Sequence, residues 1–116
     1  MDNSKTSIRP WGNYTVINDQ PNYKLKIIEV NPGQRLSYQY HNFRAEVWTV
    51  IQGSGEVLID DKIKKVQYGD CVTIDVKAKH RIANTSKSNL VFIEVQTGSY
   101  FGEDDIVRIQ DDYNRV

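Results

Sequence analysis

The sequence predicts an all-β domain, built as a sandwich or a barrel. Three observations predict it. Short segments rich in Val, Ile, Thr, Tyr and Phe recur along the chain. Turn-forming clusters such as Asn31-Pro32-Gly33, Gly53-Ser54-Gly55 and Tyr68-Gly69-Asp70 interrupt them roughly every 8–12 residues. Helical periodicity is almost absent, as are internal repeats and low-complexity stretches. At 116 residues the chain makes one domain. A domain of this size buries roughly two thirds of its unfolded surface, enough for a core without staples.

Taken in order, Met1 to Ser7 is polar, and residues 1–8 are expected to be a flexible N-terminus ahead of a domain spanning 9–116. Arg9-Pro10-Trp11-Gly12 opens the ordered part. Asn13 to Asn18 and Tyr23 to Val30 read as strands around a turn at Asp19 to Asn22. In the second strand Lys24 and Lys26 share one face, Leu25 and Ile27 the other. Glu56 to Asp60, Ile63 to Gln67, Cys71 to Asp75, His80 to Asn84 and Leu90 to Gln96 follow as strands. The last has Phe92, Glu94 and Gln96 on one face. From Gly98 the chain is acidic, with one helical turn expected over Glu103 to Arg108.

Charge narrows the function classes. Fifteen Lys+Arg balance fifteen Asp+Glu, so there is no electrostatic footprint for nucleic acid. No apolar run approaches the ~18 residues of a membrane span, and the first ten residues lack a hydrophobic region. A cytoplasmic protein without membrane contacts is expected. The single cysteine, Cys71, rules out an intrachain disulfide. It sits mid-strand and is expected to be packed and inert. Seven tyrosines and two tryptophans suit packing or sugar contacts.

The chemistry concentrates in Gly33 to Gly53. In a strand, residues i and i+2 share a face. Arg35, Ser37, Gln39 and His41 therefore fall on one face, with Leu36, Tyr38 and Tyr40 on the other. Glu46, Trp48, Val50 and Gln52 share a face of the next strand. A tight connection over Asn42 to Ala45 would make a hairpin that sets Gln39 and His41 against Glu46. His80 is a possible fourth ligand from a second segment. An amide oxygen, two imidazoles and a carboxylate suit one divalent ion. Zinc is the first expectation, with Mn, Fe, Ni or Co open.

These spacings resemble those of the cupin superfamily. Gly33, Gln39-x-His41, Glu46 and Gly53 are similar to its first motif, with Gln in place of the first His. Gly69, His80 and Asn84 are similar to its second, although Asp75 and Lys77 stand where Pro and Gly are usual. A closer resemblance covers about Arg9 to Arg115. Arg9-Pro-Trp-Gly, Gln39-x-His41-x-x-Arg44-Ala45-Glu46-x-Trp48, His80-Arg81-Ile82-x-Asn84 and Gly102-Glu-Asp-Asp-Ile-Val-Arg108 resemble the C-terminal domain of type II phosphomannose isomerases. Two departures stand out. Val47 replaces the His that follows the glutamate, and Asn114 replaces a Gly between Tyr113 and Arg115.

The resemblance implies a jelly-roll barrel (a double-stranded β-helix) that pairs as a homodimer. It also implies metal-dependent interconversion of mannose 6-phosphate and fructose 6-phosphate, in sugar-nucleotide or polysaccharide precursor synthesis. Such aldose–ketose chemistry needs an electrophile, a base and cations for the phosphate. Arg44 and Glu94 are the candidate catalytic residues. Arg44, Trp48 and Gln96 are the candidate substrate contacts. Arg81, alternating with His80, is expected to point out of the barrel into a surface ion pair. The acidic tail is expected to cap the barrel or to pair with Arg9 and Arg108. The guanylyltransferase domain that usually precedes this one has no counterpart in the 116 residues, so that activity is not expected of them. The alternative is a non-catalytic cupin that binds a sugar or sugar nucleotide beside a separate nucleotidyltransferase.

Overall fold

The computed structural model describes residues 5–115. Among them there are eleven strands: β1 Lys5–Arg9, β2 Gly12–Gln20, β3 Tyr23–Val30, β4 Tyr38–Tyr40, β5 Arg44–Gln52, β6 Ser54–Ile59, β7 Lys62–Gln67, β8 Cys71–Ile74, β9 His80–Ala83, β10 Leu90–Gly98 and β11 Val107–Gln110. They form two sheets, ordered β1-β2-β3-β10-β5-β8 and β11-β4-β9-β6-β7. Every strand pairing is antiparallel.

The core lies between the sheets. Val30, Trp48, Val50, Val72, Leu90 and Phe92 from the first meet Val57, Val66 and Ile82 from the second in one buried cluster. Strand alternation explains the sorting. Arg44, Glu46, Trp48 and Val50 of β5 are buried while Val47 and Ile51 are exposed. On β10, Leu90, Phe92, Glu94 and Gln96 face inward. The two inner rows are in register, Glu94 beside Trp48 and Phe92 beside Val50. The barrel interior is therefore apolar at one end and polar at the other.

Several expectations change. The ordered chain begins before Arg9, because Lys5–Arg9 pairs with β2; residues 1–4 lie outside the described residues. β4 and β5 are not a hairpin. They belong to opposite sheets, and Gln39 pairs with His80 on β9 and Arg108 on β11. On β3, whose inward face the sequence leaves open, Lys26, Ile28 and Val30 are buried and Leu25 and Ile27 are half-buried. Backbone irregularity before β4 breaks the alternation. Arg35 faces solvent and pairs bidentately with Asp112 at 2.7 and 2.9 Å, while Leu36 packs on the core. Tyr38 is buried, its hydroxyl donating to Asp61 at 2.7 Å. The helical turn expected at Glu103 to Arg108 is a tight turn followed by β11, closed by the Asp105 amide donating to the Gly102 carbonyl. Cys71 is exposed rather than packed.

Candidate functional site

His41, Glu46 and His80 converge inside the barrel. Each is at most 2% exposed, and their ligand atoms lie within 4.8 Å of one another. Glu46 comes from β5, His80 from β9, and His41 from the residue just after β4. The proximity expected from spacing is present, reached across the barrel rather than around a hairpin.

The tautomers are set by the backbone. His41 Nδ1 lies 2.6 Å from the Asp105 carbonyl, and His80 Nδ1 lies 2.9 Å from the Ala78 carbonyl. A carbonyl only accepts, so both Nδ1 atoms carry the proton and both Nε2 atoms present lone pairs. Those lone pairs face a carboxylate: His41 Nε2 is 3.3 Å and His80 Nε2 3.8 Å from Glu46 oxygens. Burial pushes both imidazoles down, His41 to about 4, so protonation does not relieve the crowding of acceptors near neutral pH. His80 Nε2 is buried with no hydrogen-bond partner. Three converging acceptors, one of them orphaned, suit a divalent cation. Gln39, the fourth expected ligand, has its Oε1 occupied by the Ser37 hydroxyl at 2.6 Å.

Asp105 was missed by sequence reading. Its carboxylate accepts from the Asn42 and Phe43 amides at 2.9 and 3.0 Å, and its carbonyl holds His41. The GEDDIVR tail thus caps the site, as one of its two expected roles required. It does not pair with Arg9 or Arg108. Glu103 pairs with Lys26 at 2.9 Å.

A second carboxylate stands beside the triad. The Trp48 indole N–H is shared between Glu46 Oε1 at 3.0 Å and Glu94 Oε1 at 3.1 Å. Gln96 donates its amide to Glu94 Oε2 at 2.8 Å. Burial, then the charge of Glu46, pushes the Glu94 carboxyl up to about 8. Arg44, expected in a loop, is instead the first residue of β5 and is buried. Its Nε donates to Glu46 at 3.1 Å and its Nη1 to the Gly102 carbonyl at 3.3 Å. Its Nη2 lies 3.4 Å from His41 Nε2.

Arg44, Gln39, Glu46 and Glu94 line a cavity of about 110 Å³. Trp48 and Gln96, expected to touch substrate, do not line it. The Trp48 ring packs on Phe92 and edge-on to His80, so its contribution is the N–H between the carboxylates. Arg81 points away from His80, as alternation requires, but it is covered rather than ion-paired. Its Nε donates to the Leu36 carbonyl and its Nη1 to Gln110 on β11.

A family model described as Mannose-6-phosphate isomerase C-terminal matches residues 1–111. The chain belongs to this family. The alginate biosynthesis protein AlgA of Pseudomonas aeruginosa is 45% identical over 108 residues, which are 93% of this chain and 22% of that protein. The mannose-1-phosphate guanylyltransferase of Escherichia coli K12 is 44% identical over 108 residues, 93% of this chain and 23% of the other. The chain spans less than a quarter of the length of these curated relatives. Among solved structures, the capsular polysaccharide assembling protein CapF from Staphylococcus aureus superposes with a TM-score of 0.81 at 20% identity, over 92% of this chain and 34% of that one. A Klebsiella pneumoniae protein described as having a double-stranded β-helix domain gives 0.73 at 19% identity, over 81% and 80% of the two chains. The fold is the cupin barrel. Two departures from family spacing now have a backbone reading. Lys77 and Asn114, at positions where glycine was expected, both adopt positive φ, 69° and 59°, and Asn is the more tolerant of that conformation.

Proposed function

We propose that this domain is a metal-dependent aldose–ketose isomerase of a hexose phosphate, of the mannose 6-phosphate to fructose 6-phosphate type. The observation that carries the reading is Glu94 beside the His41, Glu46 and His80 triad, in a shared buried site. A divalent cation held by that triad would supply the electrophile for charge developing on the sugar oxygen. The protein's own groups supply the rest. Glu94, with a pKa near 8, is poised to exchange a proton with carbon or oxygen near neutral pH. Trp48 and Gln96 fix its two oxygens. Arg44 lines the cavity and offers a positive charge next to Glu46. Val47, in place of the expected His, faces away from Glu46 on the outer side of β5, which leaves the ligand set intact.

The test is proton exchange. Zinc- or manganese-loaded protein is incubated in D₂O with mannose 6-phosphate or fructose 6-phosphate, and the C1 and C2 protons are followed by NMR. Exchange that stops on chelation is the expected result. Absence of exchange with either sugar would overturn the isomerase reading in favour of a non-catalytic sugar-binding cupin. One observation favours that second reading: Arg44 already contacts both Glu46 and His41, so the site is partly satisfied by the protein itself.

A further inference from the structure

The cavity that Glu46 and Glu94 line is also lined by Arg9, Lys26, Arg108 and Arg115, together with Glu103. Two of these cations are matched. Lys26 pairs with Glu103 at 2.9 Å, and Arg115 is held bidentately by Asp111 at 2.7 and 2.9 Å. Arg9 and Arg108 are not: among the described residues neither meets a carboxylate. Arg9 donates to the Tyr14 hydroxyl at 3.1 Å and to the Ile8 carbonyl at 2.9 Å, with its guanidinium 4.9 Å from the centre of the Tyr14 ring. Its charge is positioned but not balanced. Arg108, opposite Gln39 on β4, has a buried Nε with no partner. Burial and the neighbouring Arg115 and Arg9 hold the Arg108 guanidinium below its ordinary range. Folding alone gives no reason to gather unmatched guanidinium groups around a cavity, because each repels the next. An oxyanion removes the repulsion and fills the fork geometry that arginine offers.

We propose that Arg9 and Arg108, flanked by Arg115, anchor the phosphate monoester of the substrate in the cavity that Glu46 and Glu94 also line. The anchor deepens the isomerase reading and takes its substrate class from it. Neither Arg44 nor Arg81 is placed to serve as this anchor. Arg44 is occupied by Glu46 and His41, and Arg81 does not line the cavity.

The test measures binding of inorganic phosphate and of fructose 6-phosphate to the metal-loaded chain by calorimetry, for the wild type, Arg108→Gln and Arg9→Gln. Phosphate should compete with the sugar phosphate, and fructose without phosphate should not bind detectably. Each substitution should weaken both phosphate ligands at least about tenfold, the factor expected on losing a hydrogen bond to a charged group. The thermal midpoint of Arg108→Gln should not fall, since its Nε has no partner to lose; a purely structural arginine would lower it. Should that variant fail to fold, the half-buried Arg9 carries the comparison. Unchanged phosphate affinity in a folded variant of either arginine overturns the anchor. The two readings fail separately. Phosphate binding that needs both arginines, without proton exchange on either sugar, sinks the isomerase and keeps the anion site. Exchange whose KM is unmoved by the substitutions sinks the anchor and keeps the isomerase.

Discussion

The two ends of the barrel interior are built from the same strands by different rules. Along β10 the inward row changes from Leu90 and Phe92 to Glu94 and Gln96, and along β3 from Val30 and Ile28 to Lys26. At the apolar end, close packing of Val50, Val57, Ile82, Leu90 and Phe92 carries stability. At the polar end, burial works against stability: Glu94 sits beside Glu46, and His80 Nε2 lacks a partner. One end holds the fold together and the other holds groups out of their preferred states. Uncompensated burial of this kind concentrates at functional sites.

The sharpest way to break the comparison is one substitution at each end. Glu94→Gln keeps the shape and removes the ionisable group. Its new amide can donate to Gln96 if that side chain turns over, because Gln96 Oε1 has no partner now. Turnover should fall by about 10²–10⁴, the usual contribution of a general acid–base, with the thermal midpoint unchanged or raised. Phe92→Ala, by contrast, should cost about 3–5 kcal/mol of stability in denaturant titration. Any folded fraction should retain the metal site. If Glu94→Gln unfolded the protein and Phe92→Ala silenced it without destabilising it, the division of labour would be wrong.

Metal loading should then separate the ends thermodynamically. A cation present at about a hundred times its dissociation constant adds roughly 2.7 kcal/mol, on the order of 10 °C in thermal midpoint for a domain of this size. Chelation should remove that gain. His80→Ala should abolish the response to added zinc, read by differential scanning calorimetry. A full response in that variant would place the ion elsewhere.

Much of this site was legible because its residues obey the period of two. Glu46 and Trp48 on β5, and Phe92, Glu94 and Gln96 on β10, turned inward as their alternation required. His41, Glu46 and His80 were recognisable from spacing. The gaps and the failures lie where alternation is ambiguous or interrupted. On β3 both rows carry apolar residues, so nothing local tells Lys26 that it faces inward. Its outer neighbours Leu25 and Ile27 lie beside Val95 and Ile93 on a half-exposed apolar face. The hairpin reading failed because the chain changes sheets between Tyr40 and Arg44, a step that period-two reasoning cannot see. Arg81 and Arg108 depend on β11, which folds back onto β4 from the far end of the chain. Contacts of such sequence separation leave no local signal.

The smallest expected effect lies at the rim, where the C-terminal segment holds Arg115 against the cavity. Arg115 donates to Asp111 through Nε and Nη2, and its backbone amide donates to the same carboxylate at 2.8 Å. These hydrogen bonds hold the Asp111 carboxyl down at about 2. The sign follows from linkage. Between about pH 4, where a free aspartate titrates, and about 2, the unfolded chain binds a proton that the folded chain refuses. The stabilisation is therefore complete above about pH 4 and is lost as pH falls through 2. Asp111→Asn should lower stability by about 0.5–1 kcal/mol at neutral pH, the range of a well-aligned pair near the surface. Thermal midpoints of the variant and wild type should converge as the pH approaches 2. A constant gap across that range would mean that Asp111 acts through shape or backbone conformation rather than through its charge.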